Sequence, residues 1–330
     1  MKKLPVGVVG VGHLGSLHAK MFADIVTAEL VGVTDIDQSR AYKIAKEYNT
    51  KAFSNIDELL SLVHAISIAT PTSTHFSIAE QAIARGIHLF IEKPMTSTTQ
   101  EAESLVRRAK EKGVKVQVGH IERFNPALLA LEKYHLKPMF IESHRLAQFN
   151  PRGADVAVVL DLMIHDIDII LSLVNSPVVK IDANGVAVVS EHIDIANARI
   201  QFENGCVANV TASRISQKKM RKMRMFQRDA YISVDFLEGS AEVFHLVDGN
   251  DASASATMKL GEIGTGQKKR AIVYEQPEIK DVNALKYELE LFIDAVQRDR
   301  VPMVTAEEGM RALRIAHEIM ERIKQQKILL

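Results

Sequence analysis

The stretch "VGVVGVGHLG" (residues 6–15) decides the fold, because a short β-branched run in it leads directly into closely spaced glycines. The run predicts a strand, and the three glycines that follow have the spacing G-x-G-x-x-G. In this pattern the first glycine permits a tight turn and the second lets a pyrophosphate approach the backbone, while the third allows helix and strand to pack closely. The residues expected to bind a dinucleotide here are Gly10, Gly12, His13, Leu14 and Gly15.

The end of the second predicted strand indicates which dinucleotide binds. Asp35 lies twenty residues beyond Gly15 and follows the run "AELVGVT" (28–34). A carboxylate at this point can accept hydrogen bonds from both hydroxyls of a ribose, and it would repel a 2′-phosphate. We therefore expect NAD as the cofactor rather than NADP, although Arg40 could lie near the same ribose.

Strand and helix patterns alternate over residues 5–120. The predicted strands are 6–10, 28–34, 65–70, 88–92 and 114–118. One of the helices between them has a predicted capping box at Ser97 and Gln100 and a predicted end at Gly113. Such alternation implies a parallel sheet with right-handed crossovers. We therefore predict the α/β class, with an N-terminal doubly wound Rossmann domain over residues 1–121.

Two polar motifs follow predicted strands at their carboxyl ends, where open α/β sheets bind ligands. They are "ATPTSTH" (69–75) and "IEKPM" (91–95). Thr72 or Ser73 is predicted to cap the next helix. Lys93 precedes a proline, which stiffens the turn, and this makes it a candidate catalytic residue. The cofactor-binding residues expected from the two motifs are Thr70, Pro71, His75, Glu92 and Lys93.

The stretch "LDLMIHDIDIILSL" (160–173) reads as a buried helix with a polar stripe. Asp161, His165 and Asp168 share one face at helical spacing, and another face is apolar. The apolar face comprises Leu160, Ile164, Ile167 and Leu171. The stripe is either a satisfied polar network within the core or the wall of a site.

The glycine motif, the triplet "EKP" (92–94) and the pattern D-x-x-x-H at Asp161 and His165 together resemble the glucose–fructose oxidoreductase, inositol dehydrogenase and rhizopine catabolism family (Gfo/Idh/MocA). The resemblance covers essentially the whole chain. It implies a Rossmann domain joined to a C-terminal α+β domain with an open, mostly antiparallel sheet. It also implies oxidation or reduction of hydroxyl and carbonyl groups on sugars and cyclitols. Met163 departs from the pattern, because many members have glycine between the aspartate and the histidine.

Two further stretches, "GHIERFNP" (119–126) and "LDLMIHDID" (160–168), are similar to those of bacterial nucleotide-sugar dehydrogenases. This similarity implies NAD-dependent oxidation of a secondary alcohol of a sugar ring to a ketone, on a nucleotide sugar such as UDP-N-acetylglucosamine at C3. The alternatives are a dehydrogenase of a free sugar or cyclitol and a NAD-binding regulatory protein of the same fold. A reductase of a linear tetrapyrrole or cyclic imine is disfavoured, because it needs no base for a sugar hydroxyl.

A mechanism follows from the ionisable groups. Neutral imidazole is a competent base near pH 7, since its reference pKa is about 6.5. We expect His165 to take the proton of a sugar hydroxyl while Lys93 donates a hydrogen bond to the same oxygen. Asp161 is expected to orient the imidazole or to bind a neighbouring hydroxyl.

The remaining residues, 122–330, predict a second domain for substrate binding and oligomerisation. A helix over 127–134 precedes strand-like runs, and "ENG" (203–205) between two of them predicts a hairpin. Two helices near 282–297 and 305–326 end the chain, the second capped by Thr305. The sheet is expected to be open on an apolar face that pairs with another subunit, giving a homodimer or homotetramer.

A basic run, "KKMRKMR" (218–224), lies in this domain. It reads either as an edge strand protected by lysines or as a hook for the diphosphate of a nucleotide sugar. Nucleic-acid binding is disfavoured, because interleaved aromatic residues are missing. Asn125 before a proline is a natural N-cap. The other substrate-binding residues expected from the chain are Arg123, Arg145, Arg152 and Arg221.

Composition excludes several classes of protein. The 330 residues are 47% hydrophobic, enough for about two domains, and the formal net charge of +0 gives no indication of nucleic acid or an anionic membrane. No apolar run is long enough for a membrane span, which needs roughly 18 residues. The single cysteine, Cys206, fits a reducing, cytoplasmic setting. No metal site is predicted.

Overall fold

The structure, a computed structural model, describes residues 2–150, 156–248, 258–264 and 269–327. The chain divides into two compact units. The first comprises Met1–Phe124 and Asn283–Arg314, and the second comprises Asn125–Val282 and Ile315–Leu330. The predicted domain boundary between residues 121 and 122 stays a prediction.

Helices alternate with parallel strands in the first unit. Its elements up to residue 124 are β1 (Leu4–Val9), α1 (His13–Asp24), β2 (Ala28–Thr34), α2 (Gln38–Glu47), β3 (Lys51–Phe53), α3 (Ile56–Leu60), β4 (Ala65–Ile68), α4 (Thr72–Ala84), β5 (His88–Glu92), α5 (Thr99–Lys112), β6 (Val116–Gly119) and a 3₁₀ helix (Ile121–Phe124). Within the described residues its six strands pair in parallel in the order β3-β2-β1-β4-β5-β6. This order confirms the predicted doubly wound Rossmann sheet.

The capping box of α5 lies one residue later than predicted. The hydroxyl of Thr98 accepts a hydrogen bond from the N–H of Glu101 at 3.2 Å, and the Glu101 carboxylate accepts one from the N–H of Thr98 at 3.0 Å. The prediction of Ser97 and Gln100 is therefore wrong, because the later pair places a carboxylate rather than an amide at the helix N-terminus. The predicted end at Gly113 is confirmed, since this residue adopts the left-handed φ of 64° that glycine favours.

The stability of the first unit depends on a neutral histidine. The N–H of Lys115 donates a hydrogen bond to Nδ1 of His88 at 3.0 Å, so this nitrogen must be unprotonated. Burial, first, and the nearby charge of Lys115 lower the pKa of His88 below 6.5. The unfolded chain therefore binds this proton more readily than the folded one.

Acidification is expected to destabilise the protein partly through this residue. Stability is fully present above the unfolded pKa of about 6.5 and is lost as the pH falls below it, towards the lower folded pKa. In His88→Asn the amide oxygen can accept the same N–H without titrating. We expect its thermal midpoint to fall less between about pH 7.5 and about pH 5.5 than that of the unchanged protein. An equal fall in both proteins would contradict this role.

A mostly antiparallel sheet dominates the second unit, and the chain then returns to the first unit at Asn283 and leaves it again after Arg314. The elements from residue 125 onward are α6 (Pro126–Leu129), β7 (Phe140–Leu146), a π-helical turn (Val159–Met163), α7 (Ile164–Val174), β8 (Val178–Val186), β9 (Ile195–Phe202), β10 (Val207–Ser213), β11 (Met220–Gln227), β12 (Ala230–Asp235), β13 (Ser240–Asp248), β14 (Met258–Ile263), β15 (Arg270–Glu275), α8 (Ala284–Gln297) and α9 (Ala306–Lys327). The nine strands in the described part of the chain follow the order β14-β15-β13-β12-β11-β7-β10-β9-β8. Among them β10 pairs with β7 in parallel, and the other pairs are antiparallel. The predicted α+β domain is confirmed.

Local predictions in this part of the chain had mixed outcomes. The hairpin at 203–205 is confirmed, because it joins the antiparallel strands β9 and β10. The cap at Thr305 is also confirmed: its hydroxyl accepts a hydrogen bond from the N–H of Glu308 at 3.2 Å. The helix predicted over 127–134 is wrong beyond Leu129, since after Ala130 the backbone hydrogen bonds tighten to a three-residue spacing.

The basic run does not protect an edge of the sheet. It overlaps β11, which lies between β12 and β7 near the middle of the sheet. The interpretation as an edge strand guarded by lysines is therefore wrong. No helix in the described ranges has both the length and the apolar composition required to cross a membrane.

Candidate active site

A cleft of about 870 Å³ opens in the first unit where β1, β2 and β4 end. Strand ends of this kind form the ligand crevice of doubly wound sheets. The predicted cofactor residues that line the cleft are Gly10, Gly12, His13, Leu14, Asp35, Thr70 and Pro71.

The three glycines have separate roles in the geometry of the turn. Gly10 adopts a left-handed φ of 81°, and a Cβ on Gly15 would lie 1.8 Å from the carbonyl oxygen of Gly10. A Cβ on Gly12 would meet no atom within 4 Å, so its backbone faces open space at the N-terminus of α1. The turn therefore leaves room for a phosphate at the positive end of a helix.

Asp35 is held in a fixed orientation beside this turn. One carboxylate oxygen accepts the N–H of Val11 at 2.7 Å, and the other accepts the N–H of Asp37 at 2.9 Å. Nη1 of Arg40 donates long hydrogen bonds to both oxygens, at 3.4 and 3.5 Å, and a ribose hydroxyl would take its place on the carboxylate. Arg40, whose side chain is 47% exposed, lies 3.4 Å from the Asp35 carboxylate. The glycine turn and this carboxylate fit a dinucleotide with an unmodified ribose.

The predicted cap of α4 is wrong. The residue before the helix is Pro71, which makes no side-chain cap, and Thr72 is already the first helical residue. His75 in the first turn is 1% exposed. Its Nδ1 lies 3.1 Å from the carbonyl oxygen of Pro94, and its Nε2 lies 2.9 Å from that of Thr70. The ring thus lies between the turn after β4 and the turn after β5.

The turn after β5 carries Lys93, and the peptide bond from Lys93 to Pro94 is cis. Glu92 before it lies 3.0 Å from Nε2 of His18. Burial tends to raise the pKa of Glu92. The hydrogen bond and charge of His18, together with the charge of Lys93, outweigh burial and hold that pKa below its usual range. Glu92 is therefore an oriented carboxylate.

His18 was not predicted as a functional residue. It lies in α1 and is 0% exposed, and its Nδ1 lies 2.7 Å from the hydroxyl of Ser67. A signal was available in the sequence. His18 is four residues before the buried Phe22, so it occupies an apolar-face position of the helix, where an ionisable group needs partners.

The helix with the D-x-x-x-H motif begins in a wider turn than predicted. Val159–Met163 is π-helical and α7 follows it, so the prediction of one α-helix is wrong for the turn that carries Asp161. Such π turns are frequent at functional sites. Asp161 and His165 are half-buried, whereas Asp168 is buried. The polar stripe thus runs from a partly exposed end into the core.

A buried ion pair fixes α7 to the sheet. Asp166 accepts hydrogen bonds from the Arg145 guanidinium at 2.6 and 3.3 Å and from the hydroxyl of Ser143 at 2.8 Å. Arg145, which was predicted to bind substrate, is only 3% exposed. The neighbour of His165 along the chain is therefore anchored to β7.

The remaining predicted arginines have different environments. Arg123 makes an ion pair with Glu308 at 3.0 Å, and Asn125 caps α6 as predicted. Arg221 lies opposite Arg145 in the pairing of β11 with β7, so both side chains point to the sheet face that α7 covers. Arg152 lies outside the described residues. Substrate binding by these four arginines stays a prediction. Among the residues that the structure describes, no group of three or more His, Cys, Asp or Glu could hold a metal ion.

Comparison with protein families accounts for both units. Residues 4–120 match the family described as "Oxidoreductase family, NAD-binding Rossmann fold", and residues 148–329 match the corresponding C-terminal alpha/beta domain. The chain belongs to the Gfo/Idh/MocA family of oxidoreductases. The predicted family, the enzyme class and NAD as the cofactor are thereby confirmed.

Within the Gfo/Idh/MocA family, one similar protein matches along nearly its whole length. This is the UDP-N-acetylglucosamine 3-dehydrogenase of Acidithiobacillus ferrooxidans, 38% identical over 320 residues that span 97% of each chain. Its solved structure has a TM-score of 0.87, with 98% of this chain and 99% of that one covered. The scyllo-inositol 2-dehydrogenase (NAD(+)) of Bacillus subtilis is 31% identical over 229 residues, which span 63% of this chain and 67% of that protein.

Proposed function

We propose that the protein is an NAD-dependent dehydrogenase that oxidises a ring hydroxyl of a nucleotide sugar to a ketone, with UDP-N-acetylglucosamine at C3 as the favoured substrate. The observation that carries this proposal is the 38% identity to a dehydrogenase of that substrate over 97% of both chains. The orientation of Asp35 beside an open glycine turn supports NAD as the oxidant.

Each proposed catalytic residue has a defined task. NAD, when bound, accepts the hydride that leaves the sugar carbon. His165 takes the hydroxyl proton, and because its Nδ1 is buried the proposal assigns this step to Nε2. Lys93 donates a hydrogen bond to the same oxygen and stabilises its developing negative charge. Asp161, in the turn before His165, orients the imidazole or binds a neighbouring hydroxyl.

Two measurements test this function. Thermal midpoints should rise with NAD and UDP-N-acetylglucosamine, because a ligand that binds only the folded state stabilises it. The absorbance of NADH should then rise when the protein is given NAD and UDP-N-acetylglucosamine. It should stay flat when the free sugar N-acetylglucosamine replaces the nucleotide sugar and NAD is still present. If none of the nucleotide sugars tested gives NADH, the proposal is contradicted.

A cyclitol is the second candidate substrate, favoured by the similarity to scyllo-inositol 2-dehydrogenase. That similarity covers 63% of this chain, whereas the similarity to the nucleotide-sugar enzyme covers 97%. scyllo-Inositol and myo-inositol belong in the same NADH assay. Faster turnover of either than of UDP-N-acetylglucosamine would reverse the order of the candidates.

Adjacent cations on β11 allow a matched test of diphosphate recognition. Arg221 points to the face that α7 covers, whereas Lys222 points to the opposite face and pairs with Asp235 at 3.1 Å. Arg221→Ala is expected to raise KM for UDP-N-acetylglucosamine by roughly tenfold, because a charge-assisted contact is worth about 1.5–3 kcal/mol. Lys222→Ala should change that KM by less than about twofold. Equal effects would argue against a diphosphate contact at Arg221.

We further propose that the protein forms a homodimer or homotetramer through the open face of the nine-stranded sheet. A row of half-buried rings crosses this face on five neighbouring strands, with centroids 4.8–5.7 Å apart: Phe140, Phe226, Tyr231, Phe244 and Tyr274. Next to this row lie positive and negative side chains in ion pairs, such as Arg224 with Glu142 at 2.6 Å. Because the surface carries both charges, it can pair with a second copy of itself.

Phe226→Lys is expected to shift the protein to monomer, because it places a charge in the middle of this aromatic row. Light scattering after gel filtration measures the mass. Tyr42→Lys is the matched control, since Tyr42 is an exposed aromatic residue of the first unit and should leave the mass unchanged. Retention of the oligomer in Phe226→Lys would rule out this face.

We also propose a cytoplasmic setting. Cys206 is the only cysteine of the chain, and it is buried. Burial raises the pKa of its thiol, which keeps it protonated and unreactive. Such usage of cysteine suits a reducing compartment.

A further inference from the structure

Two buried histidines flank the turn that carries Lys93. His18 comes from α1 and contacts Glu92, the residue before the lysine. His75 comes from α4 and contacts Pro94, the residue after it. The rings are 0% and 1% exposed, so neither is a solvated surface residue.

His18 links the turn to the interior of the sheet. An ionised carboxylate can only accept, so the Nε2 that lies 3.0 Å from Glu92 carries a proton. Its Nδ1 lies 2.7 Å from the hydroxyl of Ser67, a group that can donate to a neutral ring or accept from a protonated one. The other carboxylate oxygen of Glu92 accepts the N–H of Lys93 at 3.3 Å. Hydrogen bonds thus run from Ser67 through His18 and Glu92 to the backbone of Lys93.

His75 holds the other side of the turn. Its two nitrogens face the carbonyl oxygens of Pro94 and Thr70, both of which can only accept. Burial lowers the pKa of His75 and favours the neutral ring, which donates its single N–H to one of these oxygens and keeps the other as a close contact. Thr70 lines the cofactor cleft at the start of α4. His75 therefore connects the turn after Lys93 to the wall of that cleft.

Lysine needs such support more than most catalytic groups. Its ammonium sits on a flexible four-carbon stem, so its position depends on how well the backbone is fixed. A displacement of about 1 Å at a reacting group can lower a rate by roughly 100-fold. Both contacts attach Lys93 to the helices that border the glycine turn and the Thr70 turn.

We propose that His18 and His75 are positioning residues that fix the backbone of Lys93 relative to the cofactor cleft. The proposal rests on the catalytic role proposed for Lys93. Neither histidine takes part in proton transfer with substrate. Loss of either contact is expected to lower kcat while NAD binding is kept.

The two contacts allow a crossed test with conservative variants. The amide nitrogen of asparagine can take the place of Nδ1, and that of glutamine can take the place of Nε2. His18→Gln keeps the contact with Glu92, and His75→Asn keeps the contact with Pro94. These two variants should retain kcat within about threefold. His18→Asn and His75→Gln keep only the contacts with Ser67 and Thr70, and should lose roughly tenfold or more in kcat with KM for NAD within about threefold.

Hydrogen exchange of the peptide that spans the Lys93 turn supplies a readout that needs no catalysis. Exchange should accelerate in His18→Asn and His75→Gln and stay slow in the other two variants. Equal kcat and equal exchange for asparagine and glutamine at both positions would overturn the proposal. Should either His18 variant fail to fold, Ser67→Ala tests the same chain of hydrogen bonds, and unchanged exchange in it would overturn the role of His18.

Lys93→Met separates this inference from the proposed function. If Lys93→Met abolishes turnover while the histidine variants all match the unchanged protein, the positioning role is overturned and the function stands. If Lys93→Met retains turnover, the catalytic role of the lysine fails. The exchange pattern then still decides whether the two histidines hold the turn.

Discussion

Lys93→Met and His165→Asn are each expected to lower kcat by roughly 100- to 1,000-fold. Methionine keeps the apolar stem of lysine but cannot donate to the substrate oxygen. Asparagine keeps polarity at position 165 but cannot accept a proton near pH 7. Both groups act on the bond-breaking step, so KM for NAD should change by less than about threefold in each variant.

The assay is NADH formation at saturating NAD and UDP-N-acetylglucosamine, and each variant has a matched control. Lys112→Met changes an exposed lysine at the end of α5, and His192→Asn changes an exposed histidine of the second unit. Both controls should retain kcat within about twofold. Near-normal kcat in Lys93→Met and in His165→Asn would remove the proposed mechanism.

The double variant Lys93→Met/His165→Asn adds a further constraint. Residues that act on one oxygen as a unit have strongly non-additive effects. The kcat of the double variant should therefore be close to that of the less active single variant. Fully additive losses would indicate that the two side chains act on separate steps.

The Rossmann half of the fold could be predicted because its signals are local. The strand, the glycine spacing and Asp35 lie within thirty residues of one another, and each constrains the backbone next to it. Helix ends depend on competition between adjacent side chains. Ser97 with Gln100 and Thr98 with Glu101 are both plausible boxes, and only the carboxylate of Glu101 decides between them.

Long-range contacts could not be predicted in the same way. His18 meets Glu92 across 74 positions of the chain, and Arg145 meets Asp166 across 21. One interpretation of the basic run 218–224 was an edge strand, but the central place of β11 in the sheet depends on which strands lie beside it. The sequence shows Asp166 as a charge within an apolar helix. Its partner could not be predicted, because Arg145 meets Asp166 only when α7 packs against β7.

These long-range contacts separate two neighbouring polar residues of α7 by role. Asp166 is fully engaged by Arg145 and Ser143 beneath the helix, so it is structural. His165, the residue before it, is half-buried. A buried ion pair contributes little net stability, but it fixes geometry, because removal of one partner leaves a charge in the core. The anchor of Asp166 thereby restricts the rotation of the helix that presents His165.

Asp35→Asn is expected to reverse the preference for the cofactor. Its kcat/KM for NAD should fall by roughly 10- to 100-fold, because a hydrogen bond to a charged group is worth about 1.5–3 kcal/mol and the amide offers one acceptor instead of two. The kcat/KM for NADP should rise, since the carboxylate that repels a 2′-phosphate is gone. Arg40, now 3.4 Å from that carboxylate and 47% exposed, can then pair with the phosphate.

The double variant Asp35→Asn/Arg40→Ala distinguishes a changed charge interaction with the 2′-phosphate from a weakened glycine turn. Asparagine can keep one of the backbone contacts of Asp35, to Val11 or Asp37, so part of the loss with NAD arises from a weaker glycine turn. That loss should persist in the double variant, whereas the gain with NADP should be smaller, because no guanidinium remains to bind the phosphate. If NADP gains equally with and without Arg40, repulsion by Asp35 alone sets the preference. If kcat/KM for NADP does not rise in the single variant, neither Asp35 nor Arg40 sets the preference, and other residues of the cleft select the cofactor.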